Sequence, residues 1–237
     1  MQIIQGHFPF RHNFCHFWRD YYLPFFCLTK GQPARLTEYA TNNQKPWLLP
    51  EQIRYLFTDH FISDQRAIPT MLPIPTISDL EALRDFVLSR NQVIRWSDGT
   101  LDRRIVVIER NSRRELSNRM SLVQELRRAG HNVVSLQLER FTFPEQLRQL
   151  QSATHLIGYH GAGIVQGLFC PPDCKIIEIL PPGWRYDGFH ALLAHRRYVQ
   201  LPSEPGEQVV PSEHTHKYRD ICGNVEIPRI LELCKKS

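Results

Sequence analysis

The segment ATHLIGYHGAGIVQGLF, residues 153–169, contains an apolar strand, a glycine-rich turn and a short helix in direct succession. The apolar run predicts a strand over Thr154–Gly158, and the stretch Ile164–Phe169 predicts a helix. A glycine turn that opens a helix exposes unpaired backbone N–H groups at the positive end of the helix dipole, an arrangement that holds diphosphates in doubly wound folds. The segment therefore indicates a nucleotide-phosphate site, although glycines that serve only tight packing would give the same pattern.

The chain on both sides of this segment alternates strands and helices. The β-branched run at Arg104–Ile108 is typical of a buried parallel strand. Further elements are predicted as a helix over Ser117–Ala129 stopped by Gly130, a strand over Asn132–Leu136, a helix around Pro144–Ser152 and a strand over Lys175–Leu180. This order predicts an α/β fold with a parallel sheet that is covered on both faces.

The first 77 residues carry a different pattern, rich in aromatic residues and prolines. Aromatic side chains at helical spacing predict an amphipathic helix over residues 13–23, and residues 52–58 read as a strand. Ser78 is a candidate N-cap for a helix over Asp79–Arg90. The proline-rich passage before it suggests two parts, an N-terminal half at residues 1–77 and a C-terminal half at residues 78–237.

The composition narrows the class of protein. With 237 residues, of which 42% are apolar, the chain can bury a sizeable core, so a disordered protein is excluded. Its apolar runs are shorter than the roughly 18 residues that a membrane span needs, and no signal peptide is visible. A cytoplasmic location with reduced cysteines is the default expectation, or a lumenal one if the chain is truncated. The net charge of +5 favours anionic partners.

Arginines follow the strand at residues 104–108: Arg110, Arg113 and Arg114, with Asn118 one turn later. Because ligands in open α/β sheets bind at the carboxyl ends of the strands, this loop and the glycine turn should face one crevice. Guanidinium groups bind phosphate oxygens in a fork, although a solvated basic loop would look the same.

The sequence has no GxSxG elbow, no P-loop and no Asp-x-Asp pair, so positive side chains would replace a metal ion at a diphosphate.

Five segments follow one another in a characteristic order: HNFCHFWRDYYLP at 12–24, RIVVIERNSRRELSN at 104–118, LERFTFPEQ at 138–146, ATHLIGYHGAGIVQGLF at 153–169 and KIIEILP at 175–181. In their order as well as in their letters, they resemble the glycosyltransferases of family 61. The chain departs from the family pattern in being short, with an abbreviated N-terminal half. It also has Gln166 where the family's HGAGLTN motif ends in asparagine.

The resemblance implies a GT-B architecture, an α/β fold of two Rossmann-like halves. It also implies inverting, metal-independent transfer of a sugar from a UDP-sugar donor to a hydroxyl group of a glycan or glycoprotein acceptor. The sugar would be a pentose such as xylose, or N-acetylglucosamine. No cofactor, divalent metal, nucleic-acid partner or membrane span is expected.

An inverting transfer needs a positive site for the departing diphosphate and a base on the opposite side of the anomeric carbon. Glu178 could hold ribose or sugar hydroxyls, or could instead bind nearby backbone amides. The candidate substrate-binding residues are Arg110, Arg114, Asn118, His160, Gly161, Ala162, Gly163 and Glu178.

The candidate base lies in the predicted first helix. His16 and Asp20 stand at i and i+4, so their side chains share one face of that helix. Either could take the proton of the acceptor hydroxyl, and both could equally serve in structural ion pairs, for example with Arg19.

A non-catalytic module that binds an anion, a nucleic acid or a glycan is the competing interpretation. Its aromatic N-terminal region could stack bases. However, the aromatic residues fall at helix-core spacing and the arginines do not follow one long surface, which favours the transferase. A transferase that binds the donor without turnover is a third possibility.

Overall fold

A computed structural model describes residues 3–6, 23, 26–27, 35–38, 75–94, 103–110, 115–185, 187–193, 195–206 and 222–235. These fall into two compact units, residues 1–93 with 142–144 and residues 94–141 with 145–237. Except for Leu23, which is helical, the predicted helix at 13–23 and the predicted strand at 52–58 lie outside the described residues. The division into an acceptor-side half at 1–77 and a nucleotide-sugar half at 78–237 stays a prediction.

The first unit contains two short strands, β1 (Ile3–Gly6) and β2 (Arg35–Glu38), which pair in parallel, and the helix α1 (Ile77–Arg90). The N-cap of α1 is Thr76 and not the predicted Ser78. The reason is a reciprocal capping box: the Thr76 hydroxyl accepts from the Asp79 N–H at 3.2 Å, and the Asp79 carboxylate accepts from the Thr76 N–H at 2.9 Å.

From residue 103 onward strands and helices alternate, as the sequence predicts. Their bounds are β3 (Arg104–Glu109), α2 (Arg119–Arg128), β4 (Val133–Gln137), a 3₁₀ turn (Leu138–Arg140), α3 (Phe143–Leu150), β5 (Ala153–Tyr159), a 3₁₀ helix (Ala162–Phe169), β6 (Lys175–Leu180), α4 (His190–Leu193), β7 (Arg197–Pro202), β8 (Glu204–Pro205), β9 (Gly223–Asn224) and α5 (Ile227–Cys234). The helix after the glycine turn is therefore of the 3₁₀ type. The strand β7 and the helix α5 are additions to the predicted series.

Strands β3 to β7 form one parallel sheet in the order β4-β3-β5-β6-β7. Strands β8 and β9 form a separate antiparallel pair. The order of the large sheet is compatible with a Rossmann-like, doubly wound fold, so the predicted α/β class with a parallel sheet is confirmed. The direction of winding reverses between β3 and β5, and such a switch point is where open sheets of this type bind ligands.

Helices cover both faces of this sheet, as predicted. On one face, Ile105 and Val107 of β3 belong to a core that also includes Leu122 of α2 and Ile230 of α5. On the other face the 3₁₀ helix lies directly on the strands, and its residues from Ile164 to Phe169 are all buried. The chain reverses after α2 at Gly130, whose positive φ of 85° suits glycine and ends the helix as expected.

Within the described ranges, no helix combines the length and the apolar character that crossing a membrane requires. The described cysteines, Cys27, Cys170, Cys174, Cys222 and Cys234, are buried free thiols, in keeping with the expectation from the sequence.

Gly167 is where the 3₁₀ helix comes closest to the sheet. A β-carbon at this position would lie 2.5 Å from Cδ1 and 3.0 Å from Cγ1 of Ile176 in β6. We expect Gly167→Ala to lower the free energy of unfolding by about 1–3 kcal/mol through overpacking. Urea denaturation measures this, with Gly163→Ala as the control, because its new methyl group would meet Ile108 at an ordinary 3.5 Å. Equal stability of the two variants would contradict the prediction.

Candidate functional site

Two loops meet at the carboxyl ends of β3 and β5, at the switch point of the sheet. Arg110 directly follows β3, and His160 directly follows β5. The Nη1 atom of Arg110 donates a hydrogen bond to the backbone carbonyl of His160 at 3.0 Å. The two loops that the sequence predicts to share one crevice are therefore in direct contact, and the contact brings a guanidinium group to the glycine turn.

Gly161 makes this contact possible. A β-carbon on Gly161 would lie only 1.8 Å from Nη1 and 3.0 Å from Cζ of Arg110. The guanidinium therefore occupies the space that any other residue would fill at this position. The 3₁₀ helix starts at the next residue, and its first two residues, Ala162 and Gly163, keep partial solvent exposure while the rest of the helix is buried. The first N–H groups of a helix have no partner inside it, so this accessible end is suited to an anion.

We expect Gly161→Ala to push the Arg110 guanidinium away from the His160 carbonyl. Nucleotide affinity should fall about tenfold, the cost of one charge-assisted hydrogen bond, while the sheet beneath stays folded. Isothermal titration with UDP measures the effect. Gly167→Ala is the comparison, since its methyl group meets Ile176 of β6 and not Arg110. Equal loss of affinity in the two variants would contradict this role of Gly161.

A buried carboxylate lies next to the turn. Glu178 in β6 has 0% of its surface exposed, and its Oε1 atom is 2.6 Å from Nδ1 of His160. Its Oε2 atom accepts hydrogen bonds from Nε2 of Gln200, at 2.8 Å, and from the hydroxyl of Tyr198. Both partners lie in β7, where Gln200 is the register partner of Glu178. The charge is thus held by three side-chain donors, which makes its burial tolerable.

The protonation of this network follows from its partners. Burial, and then the negative charge of Glu178, raise the pKa of Tyr198 above its usual value, so the phenol keeps its proton and donates a hydrogen bond to the carboxylate. Because a carboxylate only accepts hydrogen bonds, Nδ1 of His160 carries a proton.

Two aromatic rings fix the plane of the His160 ring. The Phe189 ring stacks on it with centroids 5.2 Å apart and planes 22° apart, and the Trp184 ring is tilted against it at the same distance. Only 5% of the His160 surface is exposed. The imidazole is thus held by a carboxylate at one edge and by rings at its face, an arrangement that orients a histidine for chemistry or for anion binding.

Of the sequence-predicted site residues, the structure brings together Arg110, His160, Gly161, Ala162, Gly163 and Glu178. The partners of Glu178 are side chains and not the nearby backbone amides that the sequence left as an alternative. Asn118 donates to the Val225 carbonyl at 2.8 Å and accepts from the Val225 N–H at 3.1 Å, which ties α2 to the segment before α5. Its substrate-binding role stays a prediction.

The remaining predicted residues of the site lie outside the described residues: His16, Asp20, Arg113 and Arg114.

Four residues of the site were not predicted from the sequence: Tyr198, Gln200, Trp184 and Phe189. A signal existed for the first two, because RYVQLP at 197–202 places Tyr198 and Gln200 two residues apart, on one face of a strand. The aromatic residues lie in a loop and a turn, for which the sequence gives no periodic signal.

A buried pair of glutamines connects the FPEQ segment with the 3₁₀ helix. The side chain of Gln146 donates to the carbonyls of Leu138 and Phe141 at 2.8 and 2.9 Å, which holds the loop after β4. Gln166 donates in turn to Oε1 of Gln146 at 2.6 Å. The glutamine that departs from the family pattern is therefore bonded to the glutamine of the FPEQ segment.

Among the side chains that the structure describes, no three or more of His, Cys, Asp and Glu are grouped so that they could hold a metal ion.

Comparison with known proteins shows that the sequence is similar to several glycosyltransferases. A protein O-linked-mannose beta-1,4-N-acetylglucosaminyltransferase 2 from Xenopus laevis is 31% identical over 172 residues, which cover 65% of this chain and 29% of the relative. The protein of the same name from Tetraodon nigroviridis is 31% identical over 96 residues, or 40% of this chain and 17% of the relative. A beta-1,2-xylosyltransferase from Oryza sativa subsp. japonica is 38% identical over 69 residues, or 29% of this chain and 13% of the relative.

The chain thus spans less than a third of the length of these relatives. The family profile described as Glycosyltransferase 61 matches residues 11–177, a range that contains β3 to β5, the glycine turn and the first strand residues of β6. Since this match covers well over half of the sequence, the chain belongs to glycosyltransferase family 61.

Proposed function

We propose that this chain is the core of an inverting glycosyltransferase that moves a sugar from a UDP-sugar to a hydroxyl group of a glycan or glycoprotein. In this proposal residues 78–237 form the nucleotide-sugar half of a GT-B architecture whose N-terminal half is abbreviated. The observation that carries it is the Arg110 guanidinium on the glycine turn, at the switch point between β3 and β5.

The diphosphate of the donor would bind between Arg110 and the accessible start of the 3₁₀ helix at Ala162 and Gly163. Breaking the bond from the anomeric carbon to the diphosphate places an additional negative charge on the departing UDP. A fixed guanidinium and helix N–H groups stabilise that charge most in the transition state, which lowers the barrier. Arg114 would add a second positive charge, and we propose that no divalent metal is needed.

His160 supports the same step. In this proposal the Glu178 carboxylate holds Nδ1 of His160, and the fixed ring lies beside the turn that binds the diphosphate. In the described contacts Tyr198 and Gln200 reach His160 through Glu178, so we assign them as positioning residues. The base that takes the proton of the acceptor hydroxyl is proposed to be His16 or Asp20.

The donor class is supported by the names of the relatives, which are an N-acetylglucosaminyltransferase and a xylosyltransferase. We therefore propose UDP-N-acetylglucosamine or UDP-xylose as the first donors to test. Both carry the same UDP group, so the site around Arg110 would be common to either donor.

Thermal unfolding with and without UDP, in the presence of EDTA, tests the proposal. UDP at about 100 times its Kd should stabilise the protein by about 2.7 kcal/mol. A screen for UDP release from UDP-xylose, UDP-N-acetylglucosamine, UDP-glucose and UDP-galactose then identifies the donor. No stabilisation by UDP would contradict the proposal, and stabilisation only with a divalent metal would contradict its metal independence. Stabilisation without turnover would indicate a protein that binds the donor only.

A further inference from the structure

A second basic site lies at the opposite end of the sheet from Arg110. The amino ends of strands β3 to β7 line a cavity of about 550 Å³, all of it within the second unit. Its lining includes one carboxylate, Asp173, and five positive side chains, Arg103, Arg104, Lys175, Arg197 and Lys235.

The register of the sheet concentrates these charges. Lys175 of β6 pairs with His155 of β5 on one side and with Arg197 of β7 on the other. Neighbouring strands are about 4.8 Å apart, and paired residues point to the same face of a sheet. Like charges directly opposite each other destabilise a sheet. The row of Lys175 and Arg197 therefore costs stability unless a negative group compensates for it.

Some of the cavity's positive groups already have partners. Arg103 forms an ion pair with Asp173 at 2.5 Å, and Lys175 donates to the carbonyl of Leu233, near the C-terminal end of α5, at 2.6 Å. Arg197 and Lys235 form no ion pair and no side-chain hydrogen bond with any residue that the structure describes, and both are exposed. With respect to the described residues, two cations at the cavity thus remain available to a ligand.

The pKa of His155 reflects its burial and the positive charges around it. Its pKa is lowered to about 4, first by burial and then by the positive charge of Lys175, with smaller contributions from His131 and Arg197. The hydrogen bond with the backbone of Leu233 acts in the opposite direction. The imidazole is therefore neutral at physiological pH, and a bound anion would make its protonation easier.

We infer that this cavity binds a small molecule that carries two or more phosphate charges, separately from the donor site at Arg110. The cavity volume falls within the range of about 300–1,000 Å³ of small-molecule pockets. The forked guanidinium of Arg197 suits phosphate oxygens, and the surplus of positive charge favours a multiply charged ligand. The inference does not depend on the proposed function, because it uses other residues at the other end of the strands.

Inorganic tripolyphosphate is the probe. Isothermal titration of the full chain saturated with UDP should show binding that weakens at least tenfold in the double variant Arg197→Gln/Lys235→Gln. The exposed Arg90 on α1 does not line the cavity, so Arg90→Gln is the charge-matched control and should bind as the unmodified chain does. In parallel, NMR titration of the His155 ring should show its pKa rising above about 4 when the probe binds.

Equal affinity of the double variant and Arg90→Gln, or a His155 titration that the probe leaves unmoved, would overturn the inference. The variant Arg110→Gln distinguishes the two sites. It should weaken UDP binding, while tripolyphosphate should still raise the pKa of His155. Glucose 6-phosphate is the second probe. If it binds more tightly than tripolyphosphate, the ligand of the cavity is a phosphorylated sugar. If it binds more weakly than tripolyphosphate, the ligand is a free oligophosphate.

Discussion

Replacing Arg110 with alanine is expected to lower kcat/KM for sugar transfer by about 100- to 1,000-fold, equivalent to about 3–4 kcal/mol of transition-state stabilisation. The expectation follows from the fixed position of the guanidinium, which is bonded to the His160 carbonyl in the space that Gly161 leaves open. Because the diphosphate gains charge as it departs, the loss should appear mainly in kcat. Steady-state assays of UDP release, with the donor that the screen identifies, measure it.

Arg127→Ala is the control for this variant. Arg127 in α2 donates from Nη2 to the carbonyl of Val133 at 3.1 Å, so it is an arginine with a structural bond and no place in the proposed site. Its removal should lower the melting temperature slightly and leave turnover as it is. If the Arg110 variant kept full turnover, Arg110 would have no part in the mechanism.

The second large effect is expected from Glu178→Gln. The new amide would turn an N–H donor toward groups that already donate, namely the side chains of Tyr198, Gln200 and His160. Removing one member of a buried charged network costs about 3–5 kcal/mol, and the isosteric amide should bring the loss of unfolding free energy to the lower end of that range. Urea denaturation followed by circular dichroism measures it.

Tyr198→Phe is the matched comparison, since it removes one donor and keeps the carboxylate with its other two. Its cost should be about 1–2 kcal/mol. If Glu178→Gln were no less stable than Tyr198→Phe, the carboxylate would not be the centre of the network. In turnover, both variants should lower kcat, because both change the environment of His160.

The parallel core could be predicted from the sequence because its strands are buried on both faces. Runs such as RIVVI and KIIEIL need no partner information to be recognised, and their predicted bounds agree with β3 and β6 to within one residue. The strand β7 lacks such a run, since RYVQLP mixes polar and apolar residues and is only partly buried along most of its length. Its place in the sheet is determined by pairing with β6, a contact that local sequence does not show.

The two sides of the candidate site were predictable to different degrees. The contact between Arg110 and the glycine turn follows from topology, because both come after strands whose carboxyl ends must meet. The partners of Glu178 do not, because they depend on a strand register of which the sequence gives no sign. The type of the helix after the turn was also out of reach: an apolar stretch of eight residues with two glycines is compatible with both α and 3₁₀ geometry.

The fit of the Arg110 guanidinium into the space above Gly161 has a consequence for how this protein family diverges. A relative that retains the arginine must also retain a residue without a β-carbon after the histidine, and one that loses the arginine is released from that requirement. The two positions, fifty-one residues apart in the chain, should therefore be substituted together during evolution, a coupling that a survey of homologous sequences can reveal.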